Sequence, residues 1–220
     1  MARGVAAGMS GRAARDAKGG RGARREARAG GRRRRRVRAA AASAAAAAPS
    51  FSSSSLRHVV DAEAFSREDL RVLFDEADAM AALVESRREC TLLRGKIMST
   101  LFYEPSTRTR LSFEAAMRRL GGSVITTESA AEFSSAAKGE SLQDTIRTVH
   151  GYCDVIVLRH YLPGSVGAAA AVSEVPVISA GDGPGQHPTQ AMLDTYTIRK
   201  ELGSLENRRV ALVGDLANGR

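Results

Sequence analysis

Three hydroxyl side chains and an arginine stand together at Ser106, Thr107, Arg108 and Thr109, directly after a short apolar run. Where a helix begins after a strand, the free backbone N–H groups and the helix dipole favour a bound anion. Hydroxyl groups and a guanidinium add donors that match a phosphate. The segment therefore predicts a phosphate site, although it lacks the Gly-rich pattern of a P-loop. The alternative is an ordinary helix cap, with Ser106 capping and Arg108 and Arg110 solvated.

A second polar pair, His187 and Gln190, stands in a loop that enters another predicted helix. A histidine and an amide on adjacent turns can hold one planar polar group. The imidazole of His187 can donate to a carbonyl oxygen, and the amide of Gln190 can accept from an NH₂ group. The alternative is that both side chains merely cap the helix.

Two further cations have less informative surroundings. Arg159 ends a predicted strand, where it either points into a ligand cleft or pairs with a nearby acid. His160 beside it is interpreted as a structural neighbour. Lys138 lies in the polar loop 133–140, and nothing local indicates where its side chain points. The four histidines are scattered and the acids are not clustered, so we predict no metal site.

Alternating apolar runs and helical patterns must position these side chains. Strands are predicted at 96–102, 124–127, 154–159, 175–179 and 209–214. Helices are predicted from Ser66 to about 86–88, from Thr107 to the Gly121-Gly122 pair, at 142–149, around 167–173 and at 189–202. Ser66 and Asp69 form a capping-box-like pair at the start of the first helix.

The alternation of strands and helices, with continuously apolar strands, predicts an α/β fold built on a doubly wound parallel sheet that is covered on both faces. Ligands bind such sheets beyond the carboxyl ends of the strands. The polar motifs fall after four of the predicted strands, so we expect one site at that edge.

The first 55 residues differ from the rest of the chain in charge. They hold 14 of the 33 basic residues but only Asp16 and Glu26 of the 24 acidic residues, so their net charge is +12 while the remainder carries −3. A segment that is rich in Arg, Ala, Gly and Ser and poor in acids is typical of an organelle transit peptide, and we expect it to be disordered. The alternatives are a basic arm that touches nucleic acid and a wrongly assigned start codon.

The cysteines argue against a secreted protein, and the apolar content argues against a membrane-spanning one. Cys90 and Cys153 are far apart and in no metal-ligand spacing, which favours two buried, reduced thiols and a reducing compartment such as cytosol or stroma. The alanine-rich run at 39–48 is too short and too weakly apolar to span a membrane, so no membrane partner is predicted.

The segment 102–114, Phe-Tyr-Glu-Pro-Ser-Thr-Arg-Thr-Arg-Leu-Ser-Phe-Glu, resembles the carbamoyl-phosphate motif of the transcarbamoylases. The sequence His-Pro-Thr-Gln at 187–190 resembles the aspartate carbamoyltransferase branch, because the ornithine branch carries Cys where Thr189 stands. Lys138-Gly139-Glu140 and the segment 213–220 match the aspartate branch as well. The stretches 132–140 and 214–220 are most similar to plant and green-algal plastid forms.

The resemblance, which covers about 56–220, implies a role for each matched residue. Carbamoyl phosphate would be bound by Ser106, Thr107, Arg108, Thr109, Ser134, Arg159, His187 and Gln190. The catalytic set would be Arg108, Thr109, Lys138 and His187. Lys138 and Arg220 would bind aspartate, while Arg110 would lie nearer the subunit contacts.

The resemblance also implies how the protein works. Carbamoyl phosphate and L-aspartate would be the substrates in de novo pyrimidine biosynthesis, with no metal or organic cofactor. Ser134 and Lys138 would enter the site of a neighbouring subunit, so a homotrimer with shared active sites is expected. The plastid stroma is the expected location, with mitochondrion or cytoplasm as alternatives.

The implied organisation is a transit peptide at 1–55, a carbamoyl-phosphate-binding domain at 56–203, and the start of a truncated aspartate-binding domain at 204–220, with only the first strand of that second α/β domain. Three other interpretations stay open: a transcarbamoylase with another amine acceptor such as ornithine, an inactive truncated fragment that binds a phosphate ligand, and a nucleic-acid-binding basic arm. The last is disfavoured because residues 56–220 are mildly acidic.

Overall fold

Helices and strands alternate along the chain in a computed structural model, which describes residues 56–86, 89–128 and 139–214. The predicted transit peptide lies outside these ranges. The elements, in chain order, are α1 (Arg67–Glu85), β1 (Ile97–Phe102), α2 (Thr107–Arg119), β2 (Ser123–Glu128), α3 (Leu142–Val149), β3 (Val155–His160), α4 (Ser165–Val172), β4 (Val177–Asp182) and α5 (Pro188–Leu202).

The described strands form one parallel sheet in the order β2-β1-β3-β4. Because β1 lies between β2 and β3, the chain leaves β1 in one direction and returns to β3 on its other side. That boundary is the topological switch point, beside which ligands bind in doubly wound sheets. The predicted doubly wound parallel sheet is confirmed.

Side chains from alternate positions of the strands pack against helices on opposite faces of the sheet. Met98, Phe102 and Val157 pack with Met117 of α2 on one face. The other face packs against α3 and α4, through Leu101, Ile146, Ile156, Leu158, Val166, Ala169 and Val177. Full burial of one such aliphatic side chain contributes about 1.5–3 kcal/mol. The sheet is therefore covered on both faces, as the continuous apolar strands predict.

The first helix begins where its capping pair predicts. Ser66 accepts a hydrogen bond from the backbone N–H of Asp69, whose carboxylate accepts from the N–H of Ser66. Farther along α1, Asp78 pairs with Arg199 of α5 at 2.6 Å and accepts from the hydroxyl of Tyr196 at 2.7 Å. The capping box starts the helix, and these contacts attach it to α5.

Two strand predictions need correction. No strand forms over 209–214: among the described residues this segment pairs with no neighbour, and Val213 is 94% exposed. A strand needs backbone partners, and apolar content alone does not supply them. The fourth strand begins at Val177 and continues to Asp182 instead of ending at Ser179, because its pairing with β3 continues past an irregularity opposite Arg159.

Other expectations concern the thiols and the membrane. Cys90 and Cys153 are free, as expected, but each is half-buried rather than buried. Within the described ranges, no helix combines the length and the apolar character needed to cross a bilayer.

Candidate active site

The sheet brings two of the sequence motifs to one edge. Phe102, the last residue of β1, lies opposite Arg159 of β3, and the N–H of Tyr103 donates to the Arg159 carbonyl at 2.9 Å. The segment that leads from β1 into α2 therefore starts beside Arg159. These two elements flank the topological switch point, where the sequence predicts the ligand.

The start of α2 has the geometry of an anion site. Ser106 is the N-cap residue, with extended backbone angles, and within the described residues its hydroxyl does not cap the helix. The first turn contains no acidic side chain. Because the first N–H groups of a helix lack intrahelical partners, they remain available to an anion together with the hydroxyls of Ser106, Thr107 and Thr109.

Arg108 stands on the first turn of α2 and is exposed. It makes no ion pair or side-chain hydrogen bond with any other residue in the described part of the chain. A guanidinium in this position can bind a phosphate oxygen without first leaving a protein partner. The capping alternative accounts for the solvated Arg108. It does not account for Ser106, whose hydroxyl does not cap the helix within the described residues, or for Arg110, which pairs with Glu114.

Arg110, two residues farther on, plays a different part. Its guanidinium contacts the carboxylate of Glu114 and the hydroxyl of Thr126, both at 3.3 Å. Thr126 in turn accepts from Thr100 of β1 at 2.8 Å. Arg110 therefore links α2 to the carboxyl end of β2, from which the segment carrying Ser134 and Lys138 departs.

Arg159 is held by two partners at the end of β3. Its Nη2 lies 3.0 Å from Glu104 Oε1, and its Nη1 donates to the Ala180 carbonyl at 2.9 Å. Only 11% of its side chain is exposed, and its Nε is buried with no hydrogen-bond partner among the described residues. The sequence left open a cleft position or an acidic partner, and the structure has the acidic partner, while the buried Nε has no partner within the described residues.

His187 and Gln190 lie at the start of α5. His187 occupies the N-cap position, where its ring does not cap the described helix, and its Nδ1 lies 3.4 Å from the hydroxyl of Thr189. Gln190 donates from Nε2 to Asp194 Oδ1 at 2.9 Å. That bond uses an N–H and leaves the lone pairs of the amide oxygen able to accept, as the carbamoyl hypothesis requires.

His160 packs between two aromatic rings, as expected of a structural residue. Its ring stacks on Tyr161 at 4.5 Å and tilts against Tyr103 at 4.8 Å, and its Nδ1 accepts from the N–H of Leu162. Burial lowers the pKa of His160 below its ordinary value, an effect that the nearby carboxylate of Asp182 partly offsets. A neutral ring with a proton on Nε2 follows.

Two residues at this edge of the sheet, Glu104 and Asp182, were not predicted from the sequence to belong to the site. Glu104 is the one acid in the cationic motif 102–110, a signal that could have pointed to Arg159. Asp182 follows Gly181 in a Gly/Pro-rich stretch and looks like a turn residue. Ser134, Lys138 and Arg220 lie outside the described residues, and no metal-binding cluster of His, Cys, Asp or Glu occurs within them.

Comparison with known proteins adds to this geometry. A family model described as the carbamoyl-phosphate-binding domain of aspartate/ornithine carbamoyltransferases matches residues 57–200. The chloroplastic aspartate carbamoyltransferase of Arabidopsis thaliana is 61% identical over 165 residues, which cover 75% of this chain and 42% of that protein. The chain thus spans less than half the length of this relative.

Two solved structures of aspartate transcarbamoylase from Trypanosoma cruzi are also similar. The complex with carbamoyl phosphate has a TM-score of 0.64 and 48% identity, and it covers 67% of this chain and 45% of that one. The complex with carbamoyl aspartate and phosphate has a TM-score of 0.70 and 48% identity, with 73% and 49% covered.

Proposed function

Since the chain belongs to the aspartate/ornithine carbamoyltransferase family, we propose that it binds carbamoyl phosphate and supplies the carbamoyl-phosphate half of an aspartate carbamoyltransferase. The carbamoyl group would pass to the α-amine of L-aspartate, giving N-carbamoyl-L-aspartate and phosphate in pyrimidine biosynthesis. The observation that carries the proposal is the start of α2, where the exposed Arg108 and a Ser106 hydroxyl that makes no capping bond within the described residues follow a segment that contacts Arg159 across the switch point.

The phosphate takes its place at this helix start. The hydroxyls and N–H groups of Ser106, Thr107 and Thr109 donate to its oxygens, and Arg108 neutralises its charge. Arg159 reaches the phosphate and the carbonyl oxygen from the end of β3. His187 donates to the carbonyl oxygen, while Gln190 accepts from the carbamoyl nitrogen.

The reaction itself needs no covalent intermediate on the protein. The aspartate nitrogen attacks the carbamoyl carbon and forms the new C–N bond. The tetrahedral intermediate then breaks its C–O bond to phosphate, and the proton lost by the amine passes to the departing phosphate. Arg108, Thr109 and His187 stabilise the developing oxyanion, so the protein contributes positioning and positive charge.

The remaining roles belong to residues outside the described ranges. Ser134 and Lys138 enter the site of a neighbouring subunit, which makes the working enzyme a homotrimer. Lys138 and Arg220 contact aspartate.

The names of the plant relatives, which are chloroplastic, support a plastid location and a transit-peptide role for residues 1–55. The proposed boundary between the two domains lies near residue 203.

A second candidate is transfer to another amine, such as ornithine. Thr189 favours aspartate because the ornithine branch carries Cys there. Its hydroxyl lies 3.5 Å from the Ser179 carbonyl and 3.4 Å from His187 Nδ1, so it helps to set the ring that faces the carbamoyl group.

Calorimetric titration of carbamoyl phosphate into the chain and into Arg108→Ala tests the proposal. We expect binding by the wild type and a loss of at least about tenfold in the variant, because a charge-assisted contact to phosphate is removed. Arg118→Ala, an exposed arginine in the last turn of the same helix, is the matched control. A folded wild-type sample that does not bind would refute the proposal.

A further inference from the structure

Asp182 joins two loops at the carboxyl edge of the sheet. It is 7% exposed. Its Oδ2 accepts from the N–H of Gly164 at 2.8 Å, and its Oδ1 accepts from the N–H of Val166 at 3.3 Å. Gly164 is the N-cap of α4 and has no side chain to cap it. The carboxylate from β4 thus satisfies the start of a helix in another loop, where the helix dipole also favours its negative charge.

The backbone around Asp182 closes the turn that leads to His187. The Asp182 N–H donates to the Gln186 carbonyl at 3.1 Å, and the Gly185 N–H donates to the Asp182 carbonyl at 3.0 Å. Five residues after Asp182 the chain reaches His187, the N-cap of α5. The position of Asp182 therefore sets the base of the turn that presents the ring.

The two loops touch again at Gly183. Its N–H donates to the His160 carbonyl at 2.7 Å, and its φ is +57°. A Cβ here would lie 2.7 Å from the Tyr161 carbonyl oxygen and 2.8 Å from the nitrogen of Pro163. The turn after β4 is therefore pressed against the turn after β3, and only glycine fits between them.

Arg159 also contacts the end of β4, next to these turns. Opposite it, β4 contains an extra residue, since Leu158 pairs with Ser179 but His160 pairs with Asp182. This bulge lies next to the Ala180 carbonyl that accepts from Arg159 Nη1. Bulges of this kind redirect groups beside active sites. The clamp formed by Asp182 follows the bulge directly, so it fixes the strand end that holds Arg159.

We propose that Asp182 is a positioning residue for the carbamoyl group: its carboxylate clamps the β4–α5 turn onto the start of α4 and so holds His187 and Arg159 in place. The inference rests on the proposed function, which assigns His187 to the carbonyl oxygen and Arg159 to both that oxygen and the phosphate. Most contacts to the phosphate come from α2, which the clamp does not touch. Loss of the clamp should therefore weaken recognition of the carbamoyl end selectively.

Two stable probes distinguish binding of the carbamoyl end from binding of the phosphate end. Phosphonoacetamide carries a phosphonate and an amide in place of the carbamoyl group, whereas methylphosphonate carries the phosphonate alone. Calorimetry would measure both with the wild-type chain, Asp182→Ala, Asp182→Asn and Ser66→Ala. The last variant removes the cap of α1, which matches the loss of a cap without altering the strand-end loops.

We expect Asp182→Ala to weaken phosphonoacetamide binding about fivefold while methylphosphonate binding changes less than about twofold. Asp182→Asn keeps one of the two acceptors and should fall between the wild type and Asp182→Ala. If Asp182→Ala does not fold, the affinities of Asp182→Asn for the two probes test the proposal instead. Ser66→Ala should lose stability with the ratio of the two affinities unchanged.

An unchanged affinity ratio in folded Asp182 variants would overturn the positioning role and leave the proposed function intact. If the wild type binds methylphosphonate as tightly as phosphonoacetamide, the amide is not recognised, and both the assignment of His187 and this inference fall. If the wild type binds neither probe, the proposed function itself fails.

Discussion

The guanidinium of Arg159 lies 3.0 Å from the carboxylate of Glu104 and joins the end of β3 to the segment between β1 and α2. The two residues are 55 positions apart in the chain, and both side chains are largely withdrawn from water. Breaking such a pair leaves a charge without its partner in a place of low polarity. The pair therefore fixes the cation that we assign to the carbamoyl-phosphate site before any ligand binds.

Replacement of Glu104 by Gln should destabilise the chain by about 1–2 kcal/mol, because Arg159 loses a charge-assisted hydrogen bond while a neutral acceptor remains. Urea unfolding measures the loss. Glu68→Gln is the matched control, since Glu68 pairs with Arg71 on the exposed face of α1. Its unfolding midpoint should hardly change, and equal effects of the two variants would contradict a special role for the Arg159 pair.

In the proposed carbamoyl transfer to aspartate, Arg108→Ala should lower kcat by at least about 10²-fold, as loss of one oxyanion donor does. Stability should change by less than about 0.5 kcal/mol, because the side chain is exposed. Steady-state kinetics and thermal unfolding of the same sample check both statements. A kcat near that of the wild type would remove Arg108 from the catalytic set.

Glycine is required more strictly at 183 than at 164. Gly183→Ala should cost about 2–4 kcal/mol, since the new Cβ meets backbone atoms in addition to the strain of a positive φ. Gly164 also has a positive φ of +81°, but a Cβ there meets open space, so Gly164→Ala should cost only about 1 kcal/mol. Denaturant unfolding of the pair separates crowding from backbone strain, and equal losses would exclude the crowding.

Stability should fall as the pH drops below about 6.5. Burial lowers the pKa of His160 and of His58, so the unfolded chain binds protons at these sites before the folded chain does. The stabilisation is complete above the unfolded pKa and is lost as the pH falls toward the lowered folded values. Urea unfolding between pH 5 and 8 should show this slope.

His160→Asn tests the assignment of that slope. Asparagine keeps an acceptor for the N–H of Leu162 but does not titrate. The variant should show a weaker pH dependence than the wild type. An unchanged slope would assign the effect to groups other than His160.

Local patterns in the sequence predicted most of the fold correctly. The Ser66 and Asp69 pair, the start of α2 at Thr107 and the alternation of strands and helices depend on neighbours a few residues apart. The strand predicted at 209–214 was wrong because strand formation depends on a pairing partner, which no local apolar pattern can reveal. The bulge in β4 escaped for the same reason, since it arises from register with β3.

The sequence predicted which residues form the candidate site, but not the hydrogen-bond and ion-pair partners that hold them. Ser106 and Arg108 could be read from their types at a helix start, and the structure leaves them available. The partners of Arg159 could not be read, because Glu104 and the Ala180 carbonyl reach it only through the fold. The clamp formed by Asp182 joins residues 16 and 18 positions apart, a contact that depends on the packing of two loops.

A crystal structure of the chain with phosphonoacetamide tests the central claim most directly. We predict that the phosphonate oxygens lie about 2.7–3.2 Å from the N–H groups and side chains of Ser106–Thr109, with the amide next to Arg159 and His187. A phosphonate bound away from the start of α2, or a folded crystal that takes up no analogue at high concentration, would contradict the assignment of this helix as the carbamoyl-phosphate site.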